Sequence, residues 1–338
     1  MEKKRIAVNG LGRIGRLALR KLACDERFEV VAVNDVAPME TVAYLLRHSS
    51  EHGAFDAAGR VGYADGALVL GVAQITAFRE ADAARLPWHD LGVDLVLECS
   101  GAYTSRAKAE AHLSAGAGRV LVSAAVGSDV PTVVFGINED TVDPQDSIVS
   151  GASCSTVGLA PLARALNEIA PIEHGVSTTI HALTPTQMAL DDPQAKGNLR
   201  RSRTASTNII PTSAAAAQAV GLVVPELAGR LSGSAIRVPV TRGSLITLYA
   251  CVRAASLTAE GLNAAMRERA NNLFAYTDEE LVSSDIAGTE YESIFDATQT
   301  KVAKASEGRY LVEVAAWFDN ETSYVAHFAK LAAHLCGV

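Results

Sequence analysis

The segment "RIAVNGLGRIGR", residues 5–16, constrains the fold more than any other. A short apolar run ends at Asn9, glycines follow at Gly10, Gly12 and Gly15, and a helical pattern begins at once. Each glycine has a mechanical reason. The first permits a tight turn, the second lets backbone approach a pyrophosphate, and the third lets helix and strand pack closely. The helix amino terminus would then face an anion. The glycine spacing alone is weak evidence, but Asp35 closes a second strand twenty residues beyond Gly15, where an acid accepts hydrogen bonds from ribose hydroxyls. Its charge would repel a 2′-phosphate, so the pattern predicts NAD rather than NADP as cofactor. The competing reading is that Asp35 merely caps the next helix.

The same alternation continues through "EVVAVN" (29–34), a helix through Tyr44 and Leu45, "VDLVLECS" (93–100), a helix around 106–113 and "RVLVSAA" (119–125). This rhythm predicts an α/β domain with a Rossmann-type, doubly wound parallel sheet, ending near residue 153. A hairpin is expected within 61–71, where Asp65 and Gly66 separate two apolar runs. Beyond residue 153 longer strands at 175–183, 234–240 and 244–254 predict an α+β domain with a mostly antiparallel sheet. From Thr184 runs a polar, basic stretch of about thirty residues with Pro185, Pro193 and Pro211, and loops of that length usually serve function or assembly. "SAAAAQAV" (213–220) reads as a close-packed helix. "NETSYVAHFAKLAAHL" (320–335) reads as an amphipathic helix capped by Asn320, with Tyr324, Phe328, Leu331 and Leu335 on one face. The expected organisation is an NAD-binding domain over 1–153, completed by the terminal helix 320–338, and a catalytic domain over 154–319.

Charge and cysteine usage narrow the function. A net charge of −8 with one compact basic cluster, "LRRSR" at 199–203, argues against nucleic acid as a partner. No run of 18 apolar residues offers a membrane span, and "MEKKRIAVNG" lacks the features of a secretory leader, so the cytoplasm is the expected compartment. Five scattered cysteines argue against a disulfide framework or a metal cluster.

One of them stands apart. In "GASCSTVGLAPLARAL" (151–166), Cys154 sits among small hydroxylated residues at the expected start of a helix. Free cysteine is often only core filling. At the first helical turn, however, unpaired N–H groups and the helix dipole lower a thiol's pKa toward the thiolate. The expected base is His181, at the end of "STTIHAL", on a strand able to return beside that helix near an interdomain cleft.

The motifs "NGLGRIGR", Asn34–Asp35, "LLRHSSEHGAF", "GVDLVLECSG", "GASCST", "HALTPTQ", "RRSRTASTNIIPTS", "IRVP" and "WFDNETSY" follow one another as in glyceraldehyde-3-phosphate dehydrogenases and the similar erythrose-4-phosphate dehydrogenases. The chain resembles that family over essentially its whole length. The resemblance implies a homotetramer with no membrane association, acting on a small phosphorylated aldehyde and inorganic phosphate. It implies that Cys154 attacks the aldehyde, that His181 takes the proton, and that phosphate cleaves the resulting thioester. The implied cofactor set is Asn9, Gly10, Gly12, Arg13, Ile14, Gly15, Asp35, Ser100, Gly101, Ser123, Asn320 and Tyr324, with Asn320 on the nicotinamide carboxamide and Tyr324 packed beside it. Thr184 and Arg237, with Thr186 nearby, would hold the substrate phosphate, since hydroxyls and a guanidinium suit its oxygens. Ser153, Ser155 and Arg201 would serve the second phosphate. No metal is implied. The loop 183–208 would contribute to subunit contacts.

The chain also departs from the family pattern. Val157 replaces an asparagine, Gly158 stands where many members carry a second cysteine, and Leu183 replaces a tyrosine beside the base. Ala214 and Ala215 replace a threonine and a glycine, and that threonine hydroxyl helps hold the attacking phosphate. Losing one hydrogen bond to an anion costs roughly 1.5 to 3 kcal/mol, so phosphate binding weakens unless Thr212 or Ser213 substitutes. These changes leave room for an erythrose-4-phosphate dehydrogenase with hydrolytic deacylation, a paralogue adapted to another oxyanion such as arsenate, and a catalytically silent binding protein.

Overall fold

The computed structural model describes residues 2–55, 60–194 and 197–338. Two compact units divide the chain: Met1–Ser153 with Val325–Val338, and Cys154–Tyr324.

In the first unit β1 (Lys4–Asn9) leads into α1 (Arg13–Leu22), and β2 (Phe28–Asn34) into α2 (Met39–Arg47). A two-residue ladder of β3 (His48–Ser49) and β4 (Gly53–Ala54) follows, then β5 (Val61–Ala64), β6 (Ala67–Leu70) and β7 (Ala73–Phe78). The remaining elements are β8 (Leu95–Glu98), α3 (Arg106–Ser114), β9 (Arg119–Val122) and β10 (Ile148–Ser150). One eight-stranded sheet has the order β10-β9-β8-β1-β2-β7-β6-β5. It is parallel from β10 through β7 and antiparallel beyond. The end of β1 and all of β8 are buried, as strands covered on both faces require. Asp65 and Gly66 form the expected turn, with φ of 51° and 77°. The strand β7, which the sequence reading passes over, shows only one buried position in six. The segment 325–338 adds Phe328, Leu331 and Leu335 to this unit's core, and Nη1 of Arg119 donates to the Leu335 carbonyl at 2.9 Å.

The second unit opens with α4 (Cys154–Ile169), then β11 (Ile172–His181), β12 (Ile210–Ser213), α5 (Ala216–Val223) and β13 (Leu231–Arg237). It continues with β14 (Ser244–Arg253), α6 (Ala259–Glu268), β15 (Phe274–Thr277) and α7 (Ser283–Ile286). The hairpin β16 (Ser293–Ser306) and β17 (Arg309–Phe318) precedes α8 (Thr322–Cys336), inside which the unit boundary falls. The seven-stranded sheet runs β12-β13-β11-β14-β17-β16-β15. It is antiparallel except for the pairs β11/β13 and β15/β16. Its order puts β13 beside β11 with His181 opposite Arg237.

Three local expectations are corrected. The helix placed over 213–220 begins at Ala216, because Ile210–Ser213 pairs with β13 instead. Asn320 does not cap α8. Asp319 does so, its Oδ1 accepting from the Glu321 and Thr322 main-chain N–H groups at 2.8 and 3.0 Å. Ser244 instead donates to Asn320 Oδ1 at 3.4 Å. The sequence reading also names three strands where the sheet has seven, since the outer half of β16 is exposed and polar and offers little alternation. Among the described residues no helix is long and apolar enough to cross a membrane.

Candidate active site

Cys154 is the first residue of α4 and is half-buried. The chain enters that helix through Ala152, whose φ of 57° is unusual for a residue with a Cβ and turns the backbone sharply. Its sulfur lies 3.4 Å from Nε2 of His181, the last residue of β11, which is itself buried. The rings of His181 and Phe318 pack edge to face, with centroids 6.0 Å apart and planes at 81°. Helix α4 approaches Phe318 closely at Gly158, where a Cβ would come within 2.9 Å of the ring.

Arg237 sits on the other side of the imidazole. Its Nη1 lies 2.6 Å from His181 Nδ1 and donates to the Ala182 carbonyl at 3.0 Å, and that carbonyl is 2.7 Å from Nδ1. A guanidinium only donates and a carbonyl only accepts, so a bare Nδ1 is satisfied by Arg237 and an Nδ1–H by Ala182, and the second tautomer leaves Nε2 bare toward the sulfur. When both nitrogens carry protons, Nδ1–H turns to Ala182. The ring therefore has a partner in each protonation state.

The electrostatics differ from the sequence expectation at Cys154. Burial pushes its thiol up, and this outweighs the downward pull of the Arg237 charge and of hydrogen bonds from Ser155. A position at the helix start does not by itself secure a thiolate, because close packing removes the water that would solvate it. Burial, together with the nearby Arg201 charge, also lowers Arg237 to about 10.

Arg201 joins a cluster of hydroxyls. Its Nη1 donates to Thr186 Oγ1 at 2.7 Å, its Nε and Nη2 reach Thr212 Oγ1 at 3.3 and 3.2 Å, and Thr184 and Thr186 hydroxyls are 3.0 Å apart. The structure thus groups Arg201 with Thr184, Thr186 and Thr212. Neither Arg201 nor Arg237 has a carboxylate partner among the described residues. Two neighbouring cations with hydroxyls and no acid between them suit a phosphate. Thr212 is a residue the sequence reading offers only as a substitute for Ala214, and its buried place in β12 is visible from strand alternation.

The cofactor candidates of the first unit cluster at the carboxyl ends of β1, β2, β8 and β9. Gly10 has φ of 89°, and a Cβ there would meet the Ser100 nitrogen at 2.3 Å. A Cβ on Gly15 would lie 1.9 Å from the Gly10 carbonyl oxygen. Gly12, the residue ahead of α1, faces open space and carries no capping side chain, so the N–H groups at Arg13 and Ile14 begin a helix open to an anion. Asp35 does not cap α2. Its Oδ2 accepts from Leu11 N at 2.5 Å and its Oδ1 from Ala37 N at 2.8 Å, which ties it to the glycine loop. Gly101 has φ of 73°, and Ser123 N donates to the Glu98 carbonyl at 2.9 Å. This glycine cradle fits a dinucleotide. Asn320 and Tyr324 are buried residues of the second unit. Glu98, buried beneath Asn9 and Ser100, has no place in the sequence reading, although an acid within "LVLE" is the signal that marks it.

Comparison with known proteins agrees with this arrangement. A family profile described as the NAD binding domain of glyceraldehyde 3-phosphate dehydrogenase matches residues 4–106, and one for the C-terminal domain matches 153–320. A Clostridium acetobutylicum protein named glyceraldehyde-3-phosphate dehydrogenase is 47% identical over 335 residues, covering 97% of this chain and 99% of that one. Proteins of the same name from Clostridium pasteurianum and Lactobacillus delbrueckii subsp. bulgaricus are each 45% identical over 335 residues, covering 97% and 98% of this chain and 99% and 98% of theirs. With both halves matched and relatives aligned end to end, the chain belongs to the glyceraldehyde-3-phosphate dehydrogenase family.

Proposed function

We propose that this protein is an NAD-dependent dehydrogenase that oxidises glyceraldehyde 3-phosphate, with inorganic phosphate, to 1,3-bisphosphoglycerate. The observation that carries the reading is the 3.4 Å approach of the Cys154 sulfur to the His181 ring at a helix start. Cys154 passes its proton to His181 and attacks the aldehyde carbon as the thiolate, and the carbonyl oxygen takes that proton from His181 to form a thiohemiacetal. NAD, when bound, supplies the acceptor for the hydride that leaves this carbon. His181, with Nδ1–H on the Ala182 carbonyl and Nε2 bare, takes the hydroxyl proton at Nε2 in that step, so its ring becomes an imidazolium. A phosphate oxygen then attacks the thioester carbon, the C–S bond breaks, and Cys154 returns as thiolate with the acyl phosphate as product.

Arg237, Thr184 and Thr186 serve the phosphates together with Arg201, Ser153 and Ser155. Thr212 supplies the hydroxyl that Ala214 lacks, which favours phosphate over water as the second nucleophile. Asn9, the glycine loop, Asp35, Ser100, Gly101, Ser123, Asn320 and Tyr324 hold the cofactor. In this reading residues 1–153 with the terminal helix 320–338 form the NAD-binding domain, and 154–319 the catalytic domain.

The protein acts as a homotetramer in the cytoplasm. Support for assembly comes from the outer face of the seven-stranded sheet, where Val176, paired with Tyr249, and Leu311, paired with Cys251, are exposed apolar or aromatic positions on neighbouring strands. The long segment 184–209 adds exposed Leu190, Leu199 and Ile209. Five free thiols suit a reducing compartment. The test follows NADH absorbance with glyceraldehyde 3-phosphate or erythrose 4-phosphate, each with and without phosphate. Phosphate-dependent turnover of the three-carbon aldehyde is expected, and turnover of the four-carbon sugar without phosphate would replace this reading with the hydrolytic one.

A further inference from the structure

The first unit contains a buried polar chain that the reaction chemistry does not use. Glu98 ends β8, and its side chain is fully enclosed. Its two oxygens receive four donors: Asn9 Nδ2 at 2.5 Å and His112 Nε2 at 3.1 Å on one, Ser100 N at 2.6 Å and Ser100 Oγ at 2.5 Å on the other. Behind His112, Trp88 Nε1 lies 3.1 Å from Nδ1, and both rings are fully buried. An indole nitrogen only donates, so Nδ1 of His112 accepts and its Nε2–H points at Glu98. On the opposite flank Asn34 Nδ2 donates to Asn9 Oδ1 at 2.7 Å. Hydrogen bonds converge on the carboxylate from both sides, and its ionised form accepts all of them.

No lysine or arginine pairs with Glu98 among the described residues; its one charged-type partner is His112. An enclosed carboxylate balanced by dipoles alone is costly, and apolar side chains would fill the same space with less desolvation. Its position gives it a use. Asn9 and Glu98 are register partners on β1 and β8. From β1 the sheet builds outward through β2 on one side and through β8 on the other, so this pair of strands is the switch point, outside whose carboxyl ends α/β sheets bind ligands. The two loop tips meet there, because Gly10 touches the Ser100 backbone so closely that no Cβ fits.

We infer that Glu98 is a positioning residue for NAD, clamping the Asn9–Gly10 tip to the Ser100–Gly101 tip so that the surface under the dinucleotide is set before binding. This rests on the NAD-binding reading given above. Preorganisation of this kind acts on affinity, since the loops need no ordering when the ligand arrives.

Calorimetric titration of NAD into the full chain, with melting curves and steady-state kinetics, tests it. The wild type is expected to bind NAD, and absence of binding overturns the NAD reading and this inference together. In Glu98→Gln the amide NH2 replaces an oxygen that accepts two of the four donors, so the Kd for NAD is expected to rise about tenfold or more. KM for NAD should rise in parallel while kcat changes by less than about threefold, because the clamp touches no reacting atom. A folded Glu98→Gln protein with lowered Tm and unchanged Kd marks a merely structural carboxylate; it overturns the inference and leaves the NAD reading intact. Should that variant not fold, His112→Leu, which removes one donor, is compared with His112→Gln, which restores one. A Kd raised by leucine and returned toward wild type by glutamine supports the clamp. Equal affinity in all three proteins overturns it.

Discussion

Nη1 of Arg237 approaches Nδ1 of His181 to 2.6 Å, closer than the opposite ring nitrogen lies to the Cys154 sulfur. One arginine therefore faces the base directly and also supplies the main charge that offsets burial of the thiol. Replacing it with leucine removes that charge. Cys154 should then titrate at higher pH, so the pH profile of its alkylation by iodoacetamide should shift upward and the rate at neutral pH should fall. A profile that stays in place would mean that Ser155 and the helix end, rather than Arg237, hold down the thiol.

The proposed roles of the reacting pair separate under mutation. Cys154→Ser is expected to abolish aldehyde oxidation while leaving the calorimetric Kd for NAD unchanged, because the sulfur is no part of the cofactor cradle. His181→Asn should lose about two to four decades in kcat, the usual scale of general acid–base assistance. Normal turnover by the serine variant would remove Cys154 from the chemistry.

Asp35 carries two tasks that different substitutions divide. Its carboxylate holds the Leu11 and Ala37 main-chain N–H groups, and in the proposed cofactor site its charge would repel a 2′-phosphate. Asp35→Asn keeps an acceptor for the loop but loses the charge, and the ratio of kcat/KM for NAD over NADP should narrow by about tenfold or more, the worth of one charged contact. If only Asp35→Ala narrows the ratio, loop order rather than repulsion sets the preference.

The hydroxyl of Thr212 bridges to Arg201 where the neighbouring Ala214 offers none. Thr212→Val, nearly equal in shape, should raise the KM for inorganic phosphate by about tenfold, consistent with one lost hydrogen bond near an anion. Ala214→Thr should lower it. Steady-state titration of phosphate at saturating aldehyde reads both, and a Thr212→Val enzyme with unaltered phosphate KM would assign that hydroxyl to packing alone.

The parts of this protein legible in its sequence are those fixed by short-range geometry. The glycine loop, the Asp65–Gly66 turn and the helix start at Cys154 each depend on a few adjacent residues, so local chemistry announces them. Asp319 and Asn320 show where this ends: two neighbouring residues can both cap, and only Ser244 on a distant strand decides that Asn320 turns elsewhere. The helix at 216 starts late because β13 claims Ile210–Ser213, a tertiary choice that local propensity does not register. Glu98 was hidden for a similar reason, since its donors come from Asn9, Ser100 and His112 and no window of sequence holds them all. The depression of the thiol expected at a helix start likewise took no account of the packing around it.

Gly158 never meets a reacting atom, yet it governs how near α4 lies to Phe318, and Phe318 in turn packs edge to face with the His181 ring. Phe318 is fully enclosed and has nowhere to retreat. Any side chain at 158 would act as a wedge, tilting the aromatic ring and levering the imidazole off its line to the sulfur. The absence of a second cysteine at 158 is thus a matter of clearance: this site tolerates hydrogen there, and a thiol in its place would have to be accompanied by a smaller residue at 318.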